Sequence, residues 1–252
     1  MCARSTLTRS LLFLLTMTGL AAPSGVYVHT QLLDVPGELV DAEITGSGRV
    51  YLLMRGLPHL VVVSPDGQTS EFDLREIVIP GGICVDHGWG WYATGQVNDR
   101  LFRYDRDGEL MDSWSTAELP GDVALAGLTL AYVSMGDGTI RSTSDPGSYL
   151  VRLSGSGDGQ LSPLGERFVY SDGEESMTLG EFLAPQPLPA TGIWASTGED
   201  LAFLTDSCVC GASGGKLFEV PPEYAFRRIS FSQGGAFCLL WSPGGERVLV
   251  LR

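Results

Sequence analysis

Three stretches of this chain repeat one pattern at an interval of about forty residues. Asp41 to Phe72 reads DAEITGSGRVYLLMRGLPHLVVVSPDGQTSEF, Gly81 to Trp114 reads GGICVDHGWGWYATGQVNDRLFRYDRDGELMDSW, and Gly121 to Leu153 reads GDVALAGLTLAYVSMGDGTIRSTSDPGSYLVRL. Each holds short apolar runs, such as RVYLLMR and HLVVVSP, rich in strand-favouring residues. Asp66-Gly67 and Asp107-Gly108 supply hairpin turns where positive φ is needed. Two further units follow, Gly192 to Val220 and Arg227 to Arg252. Between them and the third lies a degraded unit, Gly159 to Pro189, with one plain strand at Arg167 to Tyr170, an acidic turn and a proline-rich exit.

A repeat of this length cannot bury its apolar face alone, and stacking neighbours around a ring does so. The expected fold is all-β: a propeller of six blades with up to four strands each. A β-sandwich also uses many short strands but needs no such interval. The last unit stops after its third strand, ERVLVLR, and a spare strand lies in Val26 to Val35 ahead of the first unit. That strand is expected to complete blade six and close the ring without a covalent bond.

The second unit carries a family likeness. Pro80-Gly-Gly-Ile-Cys-Val-Asp86, the aromatic Gly-Trp-Tyr-Ala-Thr94, then Asn98-Asp-Arg-Leu-Phe-Arg-Tyr-Asp105 and Asp107-Gly108 closely resemble an NHL repeat. The resemblance implies a six-bladed ring used as a protein, ligand or glycan platform. By the same template the loops before the third strands share a binding face: Arg55 to Pro58, Gln96 to Arg100 and Gly136 to Gly138. Arg55, His59, Asn98, Asp99, Arg100 and Asp137 are the candidate contacts there, although Asn and Asp also suit tight turns.

Residues 1–22 read as an export signal. Arg4 and Arg9 precede the uncharged run Leu11 to Leu20, and small residues Ala21 and Ala22 follow. The run is short of the ~20 residues that span a bilayer. The expectation is a single propeller domain over 24–252, secreted or periplasmic, with no membrane insertion after cleavage. The formal net charge is −14, and Lys216 is the single lysine. Nucleic acid and anionic lipid are poor partners for so acidic a chain.

The histidines His29, His59 and His87 stand alone, and no HExxH motif occurs. Calcium-dependent lactonases are similar six-bladed rings and hold their cation with channel carboxylates and asparagine. The chain has one asparagine, Asn98, outside an inner strand. A carboxylate set of Asp41, Glu43, Asp86 and Asp122 is the alternative metal site, with calcium as its ion. Cys208-Val-Cys210 is placed by the template in the loop before a third strand. Its readings are a structural disulfide of Cys208 or Cys210 with Cys238, free thiols, a redox pair, or a soft-metal site. The leading expectation is a non-catalytic, cofactor-free exported module that binds a protein, peptide or carbohydrate through one face. The alternative is a divalent-metal hydrolase of the lactonase type, and a third reading is a sensor or assembly subunit.

Overall fold

The computed structural model describes residue 27 and residues 30–252, apart from 58, 87–89, 145–147, 156, 181–182, 190–191 and 199. The export segment, His29 and His87 lie outside the described residues.

The chain opens on β1 (Thr30–Asp34) and then builds blades of four antiparallel strands, running from the axis outward. Blade one is β2 (Leu39–Ile44), β3 (Val50–Met54), β4 (Leu60–Val63) and β5 (Thr69–Phe72). Blade two is β6 (Pro80–Asp86), β7 (Gly90–Gly95), β8 (Arg100–Tyr104) and β9 (Leu110–Ser115). Blade three is β10 (Pro120–Ala126), β11 (Thr129–Ser134), β12 (Thr139–Ser142) and β13 (Val151–Arg152). Blade four is β14 (Gln160–Leu164), β15 (Arg167–Ser171), β16 (Ser176–Gly180) and β17 (Leu183–Pro187). Blade five is β18 (Ile193–Ser196), β19 (Leu201–Leu204), β20 (Cys208–Gly211) and β21 (Lys216–Glu219). Blade six is β22 (Arg228–Phe231), β23 (Cys238–Trp241) and β24 (Arg247–Leu251), finished by β1.

The expected propeller is therefore the observed one, and the degraded unit is a full blade. Closure also runs as expected: β1 pairs antiparallel with β24, from Thr30 opposite Leu251 to Asp34 opposite Arg247. The innermost strands contact one another in sequence, and β2 meets β22 to complete the ring.

Side chains alternate across each strand, so every blade offers an apolar face to both neighbours. Leu33, Trp241 and Val248 of blade six pack with Ile44, Leu52 and Met54 of blade one. Trp91, Phe102 and Tyr104 of blade two pack with Tyr51, Leu53 and Val62. Similar clusters join blades two and three, three and four, and five and six. Between blades four and five, Ser196 N–H bonds Ser162 Oγ and Trp194 N–H bonds Ser171 Oγ.

Inner strands approach closely, which explains Pro80-Gly-Gly. A Cβ on Gly81 would sit 2.3 Å from the Pro120 carbonyl oxygen, and one on Gly82 would sit 2.6 Å from Asp122 Cα. Only glycine lets blade two meet blade three there.

Candidate functional site

The channel lies along the inner strands. It is a narrow cavity of about 40 Å³ lined by Asp41, Glu43, Asp122, Gln160, Ser162 and Ser230 among others. That is room for a few waters. Three of the four carboxylates of the alternative metal set reach it, and each is used to fasten one blade to the next. Asp41 accepts the Ile83 N–H at 2.8 Å and its own strand's Ala42 N–H at 2.8 Å. Glu43 accepts the Val85 N–H at 2.8 Å. Asp122 repeats the Asp41 arrangement two seams further on, between blades three and four, accepting Leu161 N–H at 2.6 Å and Val123 N–H at 2.7 Å. Gln160 spans two seams, donating to the carbonyls of Trp194 and Ile229 and accepting the Ile229 N–H.

Burial dominates the acidity of these groups. Desolvation pushes Glu43 up to about 8 against the Val85 hydrogen bond, with Asp41 adding repulsion. Desolvation lifts Asp41 to about 6, countered by the two backbone N–H bonds, by Arg228 and by the Asp122 side chain. Asp122 is lifted well above the usual carboxylate range by burial and by Asp41. Asp86 does not join them: it sits 3.7 Å from Arg103 and does not line the channel cavity. Calcium wants six to eight oxygens. Here both oxygens of Asp41 and of Asp122 already face N–H donors, and no group of three or more His, Cys, Asp or Glu among the described residues is placed to hold a metal.

One end of the ring carries the loops that join second to third strands and outer strands to the next inner strand. All six candidate contacts lie on or beside these loops, in blades one to three, and all six are engaged within the fold. Arg55 pairs with Glu38 at 3.2 Å, and His59 Nδ1 lies 3.3 Å from Asp73. Arg100 donates to Ser113. Hydrogen bonds from Thr139 and Arg141 outweigh partial desolvation and hold Asp137 down at about 2. Asn98 Oδ1 accepts the Val78 N–H and Asp99 Oδ1 accepts the Leu119 N–H, each across to a loop from a different connection. Asp99 and Leu119 are the non-glycine residues held at positive φ among the described residues, at 49° and 51°.

What those bonds fix in place is apolar. Val78 and Val97 are each 57% exposed, Leu119 is 40% exposed, and Leu57 in the blade-one loop is 70% exposed. Sequence reasoning chose the polar residues of these loops and passed over Leu57 and Val97, which stand inside the same segments. Large aliphatic residues at the tips of tight turns were the available signal.

On the same end, over blades four to six, opens a second cavity of about 550 Å³. Asp158, Asp172, Asp206, Arg227 and Arg228 bring charge to it, and Ile193, Leu204 and Phe226 bring apolar surface. Tyr224 stacks on Phe226 with ring centroids 5.4 Å apart. Arg228 also hydrogen-bonds the Asp158 carbonyl, while Asp206 and Arg227 have no side-chain partner among the described residues. The sequence reading did not find this cavity, because its residues come from six separate connections.

The cysteines depart from the template. Cys208 and Cys210 are in the third strand itself, because Thr205 turns the chain tightly: its N–H reaches the Cys208 carbonyl at 2.8 Å. Val209 faces the core shared with blade six, where Cys238 is buried, so Cys208 and Cys210 point from the other face of the sheet. A bond from either to Cys238 has the sheet in its way. All four described cysteines are free, with Cys208 and Cys210 Sγ atoms 3.0 Å apart.

No protein-family model matches the chain, and neither does any curated protein. Solved structures do. Virginiamycin B lyase from Staphylococcus aureus is similar at TM-score 0.61 and 12% identity, covering 87% of this chain and 84% of that one. A streptogramin B lyase is similar at TM-score 0.56 and 10% identity, over 91% of this chain and 100% of that one. A nidogen/laminin complex contains a chain similar at TM-score 0.59 and 15% identity, over 75% and 82%. These likenesses establish the six-bladed propeller fold. They join a lyase and a protein-binding complex on one architecture, so fold alone assigns neither role.

Proposed function

We propose that this chain is an exported, non-catalytic propeller that binds a partner protein through the loop end of the ring. The observation that carries this reading is the exposed set Val78, Val97, Leu119 and Leu57, presented on rigidly bonded loops of one end. Aliphatic side chains held out to water at neighbouring loop tips suit a protein surface. The cavity on the same end, lined by Asp206 and Arg227, which have no side-chain partner among the described residues, suits charged side chains of that partner. The NHL-repeat resemblance of blade two and the export-signal pattern agree with an extracytoplasmic platform.

The test is a peptide-display selection against the mature chain, with the selected peptides titrated calorimetrically against Val97→Asp, Val78→Asp and Arg227→Ala. Apolar peptides that lose tenfold or more in affinity on both Asp variants, at an unchanged melting temperature, support the reading. Peptides indifferent to all three variants, or glycan-array binding with no peptide selected, overturn it.

A further inference from the structure

The Cys208–Cys210 pair remains after the fold and the binding face are accounted for. Neither sulfur belongs to an apolar inter-blade cluster. Positions two apart on a strand share a face but are spaced by two residue rises, about 6–7 Å along the strand. Here Cys208 and Cys210 Sγ are 3.0 Å apart, closer than the 3.5–4.0 Å of ordinary non-bonded carbon contact. The pairing of β20 with β21 shifts register between Val209 and Cys210, which breaks the regular geometry at this point.

The two sulfurs are unlike. Cys210 is buried, whereas Cys208 is half-buried and stands at the start of the strand, beside the turn from Thr205. Thr205 lines the cavity of about 550 Å³, and its Oγ1 is 3.3 Å from Cys208 Sγ. Desolvation opposes the Cys208 thiolate, but hydrogen bonds from Cys210, Thr205 and Ser207 and the charge of Lys216 outweigh it and lower its pKa. Desolvation and the neighbouring Cys208 push Cys210 up to about 11. Cys84 and Cys238 are fully buried and raised by desolvation. A low-pKa reachable thiol beside a shielded second thiol is the division of labour that dithiol exchange requires.

We propose that Cys208 and Cys210 form a thiol–disulfide exchange site, with Cys208 the attacking thiol and Cys210 the resolving one, acting on disulfide-bearing peptides or small molecules. Cys208 thiolate attacks one sulfur of the external disulfide. That S–S bond breaks, and the departing thiolate takes a proton from water. Cys210 then gives up its proton and attacks Cys208 Sγ in the mixed disulfide. The Cys208–Cys210 bond forms and the second external thiolate leaves with a proton. The external disulfide is reduced to two thiols and the protein dithiol is oxidised to a disulfide, so atoms and electrons balance. The step needs the two sulfurs to close from 3.0 Å to the ≈2.05 Å of a disulfide bond.

The test uses the full folded chain and oxidised glutathione as the probe. Samples are equilibrated across a glutathione redox series, acid-quenched, alkylated and mapped by mass spectrometry. The expected result is paired loss of Cys208 and Cys210 labelling in one peptide, with Cys84 and Cys238 labelled only after unfolding. Cys210→Ser should trap glutathione on Cys208, and Cys208→Ser should form a mixed disulfide at Cys210 at least tenfold more slowly. The unmutated chain gives an independent reading: iodoacetamide should alkylate Cys208 at least tenfold faster than Cys210. Absence of the Cys208–Cys210 bond across the series, equal rates at the two sulfurs, or pairing of Cys208 with Cys84 or Cys238 overturns the proposal.

Discussion

Gln160 is the most demanding test of how the ring is held, because one side chain bonds three backbone groups on two other blades. Its Nε2 donates to Trp194 O at 3.2 Å and to Ile229 O at 2.8 Å, and its Oε1 accepts from Ile229 N at 3.0 Å. The residue is 4% exposed. Gln160→Met keeps the length and approximate volume and removes every bond. Three hydrogen bonds at about 1 kcal/mol each set a loss near ~3 kcal/mol, and stranding three backbone groups raises it toward ~5 kcal/mol. For a domain of this size each kcal/mol moves the melting temperature by ≈2–4 °C, so the expected drop is roughly 10 °C. Thermal melts followed by circular dichroism, and urea melts with an unchanged slope, measure it. Gln160→Glu separates hydrogen bonding from packing. It keeps one acceptor but turns a carboxylate toward two carbonyls, so at pH 8 it should melt below the Met variant. Exposed Gln68→Met serves as the control and should shift less than ~0.5 kcal/mol. A Gln160→Met protein melting within ~2 °C of the parent would refute the view that polar staples hold blades four, five and six together.

Three further outcomes follow from the same geometry. Burial makes Glu43 hold its proton more tightly in the folded chain, at about 8, than an exposed glutamate does at 4.5. Its contribution to stability is therefore full below about 4.5 and lost as pH rises through about 8, so melting temperature should fall over that window and Glu43→Gln should flatten the fall. Leu33 on β1 is 1% exposed in the core of the closing seam, and Leu33→Ala should cost about 2–5 kcal/mol in urea unfolding. Gly81→Ala places a methyl 2.3 Å from the Pro120 carbonyl oxygen and should cost about 1–3 kcal/mol, whereas a melt equal to the parent's would mean the inner strands can part.

The architecture was legible because a propeller repeats. Strand composition, Asp-Gly turns and the interval of Asp41, Gly81 and Gly121 define six units, and the apolar faces of those units need each other. Closure was legible from a missing strand at one end and a spare strand at the other. Blade four was hard to read because its strands carry Pro163, Pro185 and Pro187, and serines on its inner and second strands bond across to blade five. Site reading met a different difficulty. A carboxylate on an inner strand looks the same in sequence whether it faces a cation or the N–H groups of the next blade, and the seam geometry is what shows Asp41 and Asp122 bonding those N–H groups. Polar turn residues mislead for a related reason: Asn98 and Asp99 are needed where loops meet, so their chemistry is used on Val78 and Leu119 and not on solvent.

The channel and the loop end thus divide the polar inventory of the ring. Inside, each acidic or amide side chain answers backbone groups that the curvature of the sheet leaves unpaired, and burial keeps Glu43 and Asp122 inclined toward protonation. Removing one strands its partners, so these positions are constrained by stability. At the loop end the constraint is weaker. Asp206 and Arg227 have no side-chain partner among the described residues, Val97 is exposed, and Cys208 is half-buried. The cavity opens where blades four and five meet through hydrogen bonds, beside the strand that carries the two thiols. Binding and exchange chemistry are therefore expected on that side of the ring, with blades one to three supplying the rigid apolar half of the same face.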